Sequence, residues 1–88
     1  MSELAERILE ELDPDTSLFK VLVYLSFKGP CRPADISKET GIKPGTVRPA
    51  LRDLLEKGFV EQVSEGVYRS LVPFTDMVAL VFKKISGK

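Results

Sequence analysis

Apolar positions recur at helical spacing in five stretches of the chain and change to a β-prone pattern in one. Leu4, Ile8 and Leu12 repeat every fourth residue, Ala5 and Leu9 widen the stripe, and Ser2 is placed to cap a helix over residues 2–12. Asp13-Pro14 ends it, because the residue before a proline is pushed out of the α region. So short a helix is marginal alone and has to dock on another element. The second helix runs from Thr16 or Ser17, either of them a good cap, to about Lys28. Leu18, Val21, Leu22 and Leu25 make one stripe, and Phe19, Val23 and Phe27 make another. That pattern predicts a central helix buried on more than one side. Gly29-Pro30 then breaks the chain.

From Arg32 to Gly58 the spacing predicts two helices around a tight turn. Pro33 suits a first helical position, where its missing N–H has no intrahelical partner, and Asp35 can reach back to the free amides. Ala34, Ile36 and Ser37 are expected to face inward, with Gly41 stopping the helix at positive φ and Ile42 as the apolar contact beyond it. Val47, Leu51, Leu54 and Leu55 form the apolar stripe of the longer helix, which Gly58 closes. Its other face carries Thr46, Arg48, Arg52 and Asp53. A proline in a helix interior costs ~3 kcal/mol, so Pro49 places the start of regular helix at Thr46, with Lys43-Pro44-Gly45 as turn. The amides of Val47 and Arg48 would then be open to a phosphate. Two short helices around a glycine turn have the form of a helix-turn-helix.

Phe59, Val60 and Val63 on one arm and Val67, Tyr68, Leu71 and Val72 on the other flank Glu65-Gly66, a hairpin turn. A last helix follows Pro73, from Phe74 to Ile85, with Thr75 as cap, Asp76 in its first turn and Lys83 and Lys84 in its last. Its apolar residues wrap around more than half of its circumference, which predicts contact with a second subunit, the alternative being that it lies in a groove formed by the first helix and the central one. The expected homodimer interface joins Leu4, Ile8 and Leu12 to Phe74, Met77, Val78, Val81, Phe82 and Ile85. The chain is read as one domain over residues 1–88: a helix to residue 15, a core from 16 to 72, and a terminal helix from 73. It is mostly α with a small β-hairpin, an α+β arrangement.

Charge changes this picture more than composition does. The 88 residues are 43% hydrophobic and 30% charged, with a formal net charge of zero. Residues 1–15, however, hold six acids and one base, while Lys28 to Arg52 holds six bases (Lys28, Arg32, Lys38, Lys43, Arg48, Arg52) against Asp35 and Glu39. Such asymmetry is what a local nucleic-acid-binding face produces. Cys31 is the single cysteine, so no intramolecular disulfide forms; it reads as a small half-buried residue before a helix, in a reducing interior. The apolar VLVYLSF segment lacks a basic flank and is too short to span a bilayer, so neither a signal peptide nor a membrane segment is expected, and the location is read as cytoplasmic. With no histidine, no base beside Cys31 and no glycine-rich phosphate loop after a strand, no enzyme, metal site, cofactor or small-molecule ligand is expected.

The stretch from Leu18 to about Leu71 resembles a winged-helix DNA-binding domain of the MarR-like and ArsR-like transcriptional regulators. The resemblance is carried by Arg32-Pro33-Ala34-Asp35-Ile36-Ser37 through Gly41, Thr46-Val47-Arg48-Pro49-Ala50-Leu51 through Leu55, Lys57-Gly58-Phe59-Val60 and Gly66-Val67-Tyr68-Arg69. It implies a winged helix-turn-helix with added N- and C-terminal helices, binding double-stranded DNA as a small dimeric regulator. The recognition helix would be residues 46–57, in the major groove, and the terminal helices would form the dimer interface. The DNA-binding residues expected are Arg32, Lys43, Gly45, Thr46, Arg48, Pro49, Arg52 and Arg69. The hairpin tip, Ser64-Glu65-Gly66, is acidic where a groove-entering wing is basic. That departure supports an alternative, a winged helix used for protein–protein interaction in a transcription or replication assembly.

Overall fold

The computed structural model describes residues 2–86. Among these, α1 (Glu3–Glu11), α2 (Ser17–Lys28), α3 (Pro33–Thr40) and α4 (Pro44–Lys57) precede β1 (Val60–Ser64), β2 (Val67–Ser70) and α5 (Phe74–Ser86). The helix ends follow local chemistry. The Ser2 hydroxyl accepts the Ala5 N–H at 3.1 Å and the Thr16 hydroxyl accepts the Phe19 N–H at 3.3 Å, so each cap meets one of the amides a helix start leaves open. Gly41 and Gly58 end α3 and α4 in the left-handed region, at φ of 78° and 81°, where any side chain would be strained.

α2 is the centre of the molecule. It packs on α3, α4 and β2 through one side and on α5 through another, and α5 in turn packs on α1. Phe19, Val21, Leu22 and Leu25 of α2 are buried with Ile36 of α3, Val47, Ala50, Leu51 and Leu54 of α4, and Phe59 and Val60 at the start of the hairpin. The second stripe predicted for α2 is not fully covered: Val23 is half-buried and Phe27 is 66% exposed. Ala34, expected to face inward, is exposed, because Ile36 alone fills the space between α3 and the core.

Three expectations at helix ends and faces are corrected. First, α4 begins at Pro44 rather than Thr46. The Lys43 carbonyl accepts from both Thr46 N–H (2.9 Å) and Val47 N–H (3.0 Å), so the first turn closes two residues earlier. Pro44 at the first position has a preset φ and loses no bond, whereas Pro49 lies inside the helix and leaves the exposed Gly45 without its partner amide. The Val47 amide is therefore already bonded within the helix and is not open to a phosphate. Second, α5 starts on the Pro73 carbonyl, which accepts from Asp76 (3.0 Å) and Met77 (3.1 Å), and Thr75 is an internal residue of that helix. Third, Ile8, Leu12 and Met77, expected at a subunit interface, are buried in this chain's own core. They are covered where α1 docks on α5. Leu4 and Val81 pack partly against that core, while Phe74, Val78, Phe82 and Ile85 remain exposed.

The hairpin is antiparallel, pairing Val60 with Ser70, Glu61 with Arg69 and Gln62 with Tyr68, with a bulge at Val63 before Ser64 meets Val67. A third, one-residue strand adds to its inner edge. Cys31 N–H donates to the Tyr68 carbonyl at 3.0 Å and Tyr68 N–H to the Cys31 carbonyl at 2.9 Å. This pair ties the hairpin to the segment that enters α3.

α1 is fastened at both ends of the molecule. Lys84 Nζ donates to the Leu12 carbonyl at 2.6 Å, and Arg7 Nη2 donates to the Lys57 carbonyl at the end of α4 at 3.0 Å. The Arg7 guanidinium also stands 4.9 Å from the centroid of the buried Phe59 ring. A charged hydrogen bond at a helix C-terminus and a cation–π contact together stabilise by about 1–3 kcal/mol. Arg7→Ala is expected to lower the unfolding free energy in urea by that amount. Glu11→Ala, which removes only the exposed Arg7–Glu11 pair, is expected to cost a few tenths of a kcal/mol. Equal losses in the two variants would contradict the bracing of α4 by Arg7.

Candidate nucleic-acid interface

Two helices of this chain start in the same uncommon way. Arg32 and Lys43 stand immediately before Pro33 and Pro44, in extended conformation with ψ of 157° and 144°, the conformation a following proline enforces. Each is an N-cap whose side chain accepts no bond, and α4 has no acid in its first turn. A cation at a helix N-terminus adds to the positive end of the helix dipole and disfavours the folded state slightly. Asp35 offsets this in α3 by accepting the Arg32 N–H at 3.2 Å; nothing equivalent stands at the start of α4. An anion brought to this surface would relieve both helices.

The rest of the cationic surface is built on α4. Val47, Ala50, Leu51 and Leu54 turn inward, so Gly45, Thr46, Arg48, Pro49, Arg52 and Asp53 are presented outward. Arg48 and Arg52 are one turn apart on the side of α4 that faces the hairpin. They share a depression of about 220 Å³ with Pro33, Leu51, Leu55 and Tyr68. A neighbouring depression of about 240 Å³ is lined by Arg32, Pro33, Ala34, Arg48, Gly66 and Tyr68. The ion pairs of the described residues are Arg7–Glu11 and Arg69–Glu61, which leaves Arg32, Arg48 and Arg52 without a carboxylate.

Of the eight residues expected to meet DNA, the structure groups Arg32, Arg48 and Arg52 around the two depressions. Lys43, Gly45, Thr46 and Pro49 lie exposed along the first half of α4. Arg69 does not join them. It alternates with Tyr68 along β2, so it points to the opposite face of the hairpin, and it is bonded there to Glu61 directly across the strands. Tyr68 is the residue that sequence reasoning left out of the site. Its strand position was legible, but the placement of β2 beside α3 and α4, which brings it to the same depression as Arg48, was not.

A model of the IclR helix-turn-helix domain matches residues 18–64. The chain belongs to this family. Its members are winged helix-turn-helix DNA-binding domains of transcriptional regulators, the same structural class as the MarR-like and ArsR-like domains. This IclR-type domain is accordingly a DNA-binding domain of transcription regulation. The matched residues run from α2 through β1, so α1, β2 with Tyr68, and α5 lie outside the match. No curated protein matches the chain. No helix among the described residues is long and apolar enough to cross a membrane.

Cys31, next to Arg32, is buried, not half-buried as its sequence position suggested, and it forms no disulfide. Burial pushes its thiol above the ordinary value of 9.0, the Asp35 carboxylate pushes it further, and Lys28 pulls the other way. The Tyr24 phenol is likewise raised, by burial first and then by Glu39, Cys31 and Asp35, and its oxygen has no hydrogen-bond partner among the described residues. A group that holds its proton to higher pH in the folded chain contributes stability that is complete below the unfolded value. That contribution is lost as pH rises through the folded one. Urea unfolding is therefore expected to show stability falling above pH 9, with a shallower fall in Cys31→Ala, whatever that variant's stability at neutral pH. Parallel falls in the two proteins would count against the buried thiol.

Proposed function

We propose that this IclR-type domain binds double-stranded DNA sequence-specifically, as a homodimer, and acts as a small transcriptional regulator at the chromosome. α4 enters the major groove, led by its first turns, with Lys and Arg side chains supplying most of the affinity through phosphates. The observation that carries this reading is the unpaired state of Arg48 and Arg52 on the outward face of α4, beside two helices that begin with cationic caps. The groove floor would meet Gly45, Thr46 and Pro49, with the methyl group of Thr46 able to contact a thymine. The acidic hairpin tip, with Glu65 beside Gly66, stays outside the minor groove.

Support for the dimer comes from the exposed side of α2 and α5. Phe27, Phe82 and Ile85 are each 65–66% exposed, and Phe74 and Val78 are 39% and 37% exposed. The Phe27 and Phe74 rings meet edge to face at 5.3 Å, joining α2 and α5 into one apolar surface beside an open groove of about 510 Å³. These five side chains leave on the order of 500 Å² of apolar surface uncovered, near the upper limit for a monomer. It also matches the apolar half of a standard interface of ~800 Å² per partner. A second copy of the same surface is the occupant this area suits. For both α4 helices to face successive major grooves, the two-fold axis there has to set their centres ~34 Å apart or a multiple of it.

Binding to pooled genomic fragments across a salt series tests the DNA reading. The wild type is expected to enrich particular fragments with a steep salt slope. Arg48→Ala/Arg52→Ala is expected to flatten that slope by ~0.9 for each phosphate that is no longer neutralised. A folded wild type that binds no DNA at low salt would favour the interaction-module alternative, which the acidic tip supports. The dimer is tested by light scattering after size exclusion. The wild type is expected at twice the chain mass and Phe82→Asp at the monomer mass with its helical signal intact. A monomeric wild type would remove the dimer.

A further inference from the structure

We propose that Arg32, Arg48 and Tyr68 together hold one phosphate of the DNA backbone, in the depression between α4 and the hairpin. Arg48 is then a phosphate-holding residue and not a base reader. The inference rests on the DNA-binding reading above and gives that surface a division of labour. Three separate elements converge here: Arg32 from the start of α3, Arg48 from α4 and Tyr68 from β2 all line the same space of about 240 Å³. The Arg32 guanidinium lies against the hairpin turn, since a Cβ at Gly66 would come within 3.2 Å of its Nη1. So the depression has one wall from the helix-turn-helix and one from the hairpin, closed at the turn by an arginine.

Its chemistry is one-sided. Two guanidinium groups without a carboxylate partner face it, and the Tyr68 hydroxyl makes no hydrogen bond to another described residue. Asp35, the acid nearest in sequence to Arg32, is already held by the Arg32 backbone N–H. The side chains that line it therefore bring two guanidinium forks, one phenol O–H and no carboxylate. A phosphodiester has two unesterified oxygens and one negative charge, which suits a pair of guanidinium forks and a phenol O–H. Its charge also meets the N-terminus of α3, where Arg32 itself is disfavoured by the helix dipole. Position agrees with this assignment. The depression lies at the flank of α4, where a groove-inserted helix meets the strand backbone, not along the outer line of Gly45, Thr46 and Pro49.

The test uses the fragment most enriched by the wild type, with phosphate-ethylation interference and a salt series on wild type, Arg32→Ala, Arg48→Ala and Tyr68→Phe. Ethylation of one phosphate per half-site is expected to block the wild type, and each variant is expected to lose its sensitivity at that same phosphate. The Arg32→Ala/Arg48→Ala double variant should flatten the salt slope by ~0.9, the share of one phosphate, with each single variant flattening it by no more than that, and Tyr68→Phe should weaken binding by about tenfold without changing the slope. The order of preference among fragments should stay as in the wild type. Arg32→Gln removes the charge but keeps a polar side chain and should reproduce the weakening seen with Arg32→Ala, and urea unfolding unchanged in both variants separates the charge from any effect on the hairpin. The clamp is overturned if Arg48→Ala reorders the fragments, or if the variants keep the wild-type interference pattern while the wild type binds DNA. A folded wild type that binds no DNA overturns the underlying reading as well.

Discussion

The two hydrogen bonds between Cys31 and Tyr68 decide how this chain presents a surface. Without them the hairpin would be a two-stranded ribbon held by its packing on α2 and α4 alone, and ribbons of that size have little stability of their own. With them, β2 becomes the middle strand of a three-stranded edge, and its Tyr68 ring is turned toward α4. The same pair fixes the residue before Arg32, so it also sets where the first cation of α3 stands. One backbone pairing thus aligns the two walls of the candidate interface, and burial of Cys31 protects it from competition by water.

Around that pairing the molecule divides by charge and by polarity. Cationic side chains without partners gather on the side of α3, α4 and the hairpin, while the uncovered apolar side chains gather on α2 and α5. α1 is the element that keeps the two sides in register. It covers the inward face of α5 with Ile8 and Leu12, and it reaches through Arg7 to the last turn of α4. A short acidic helix with little stability of its own therefore becomes a brace across the domain.

Much of the fold was legible because it rests on chemistry within a few residues. Ser2, Thr16, Gly41 and Gly58 act where their side chains or their freedom of φ predict. The order of five helices and a hairpin follows from apolar spacing alone. What was not legible depended on comparing two local costs or on partners distant in sequence. Pro49 argues for a late start to α4 and Pro44 for an early one; the early start prevails because two further amides are bonded on the Lys43 carbonyl. The docking of α1 on α5, which takes Ile8, Leu12 and Met77 into the core, joins the two ends of the described chain, and no stripe on either helix names its partner. At the interface, Arg48 and Arg52 could be read from spacing. Tyr68 could not, since β2 is brought beside α3 by a pairing with a residue 37 positions away.

The outer edge of the hairpin carries a consequence for how copies of this protein meet. Among the described residues β1 has β2 on one side and no strand on the other, so its outward N–H and C=O groups are the kind that recruit a second chain. The edge is short, it is kinked by the bulge at Val63, and it is flanked by the charges of Glu61 and Glu65. Those features discourage strand-to-strand joining, which would otherwise extend the sheet from molecule to molecule and bury the cationic face in the stack. The acids that make the hairpin tip a poor guest for a nucleic-acid groove thereby act as a guard on the edge of the sheet.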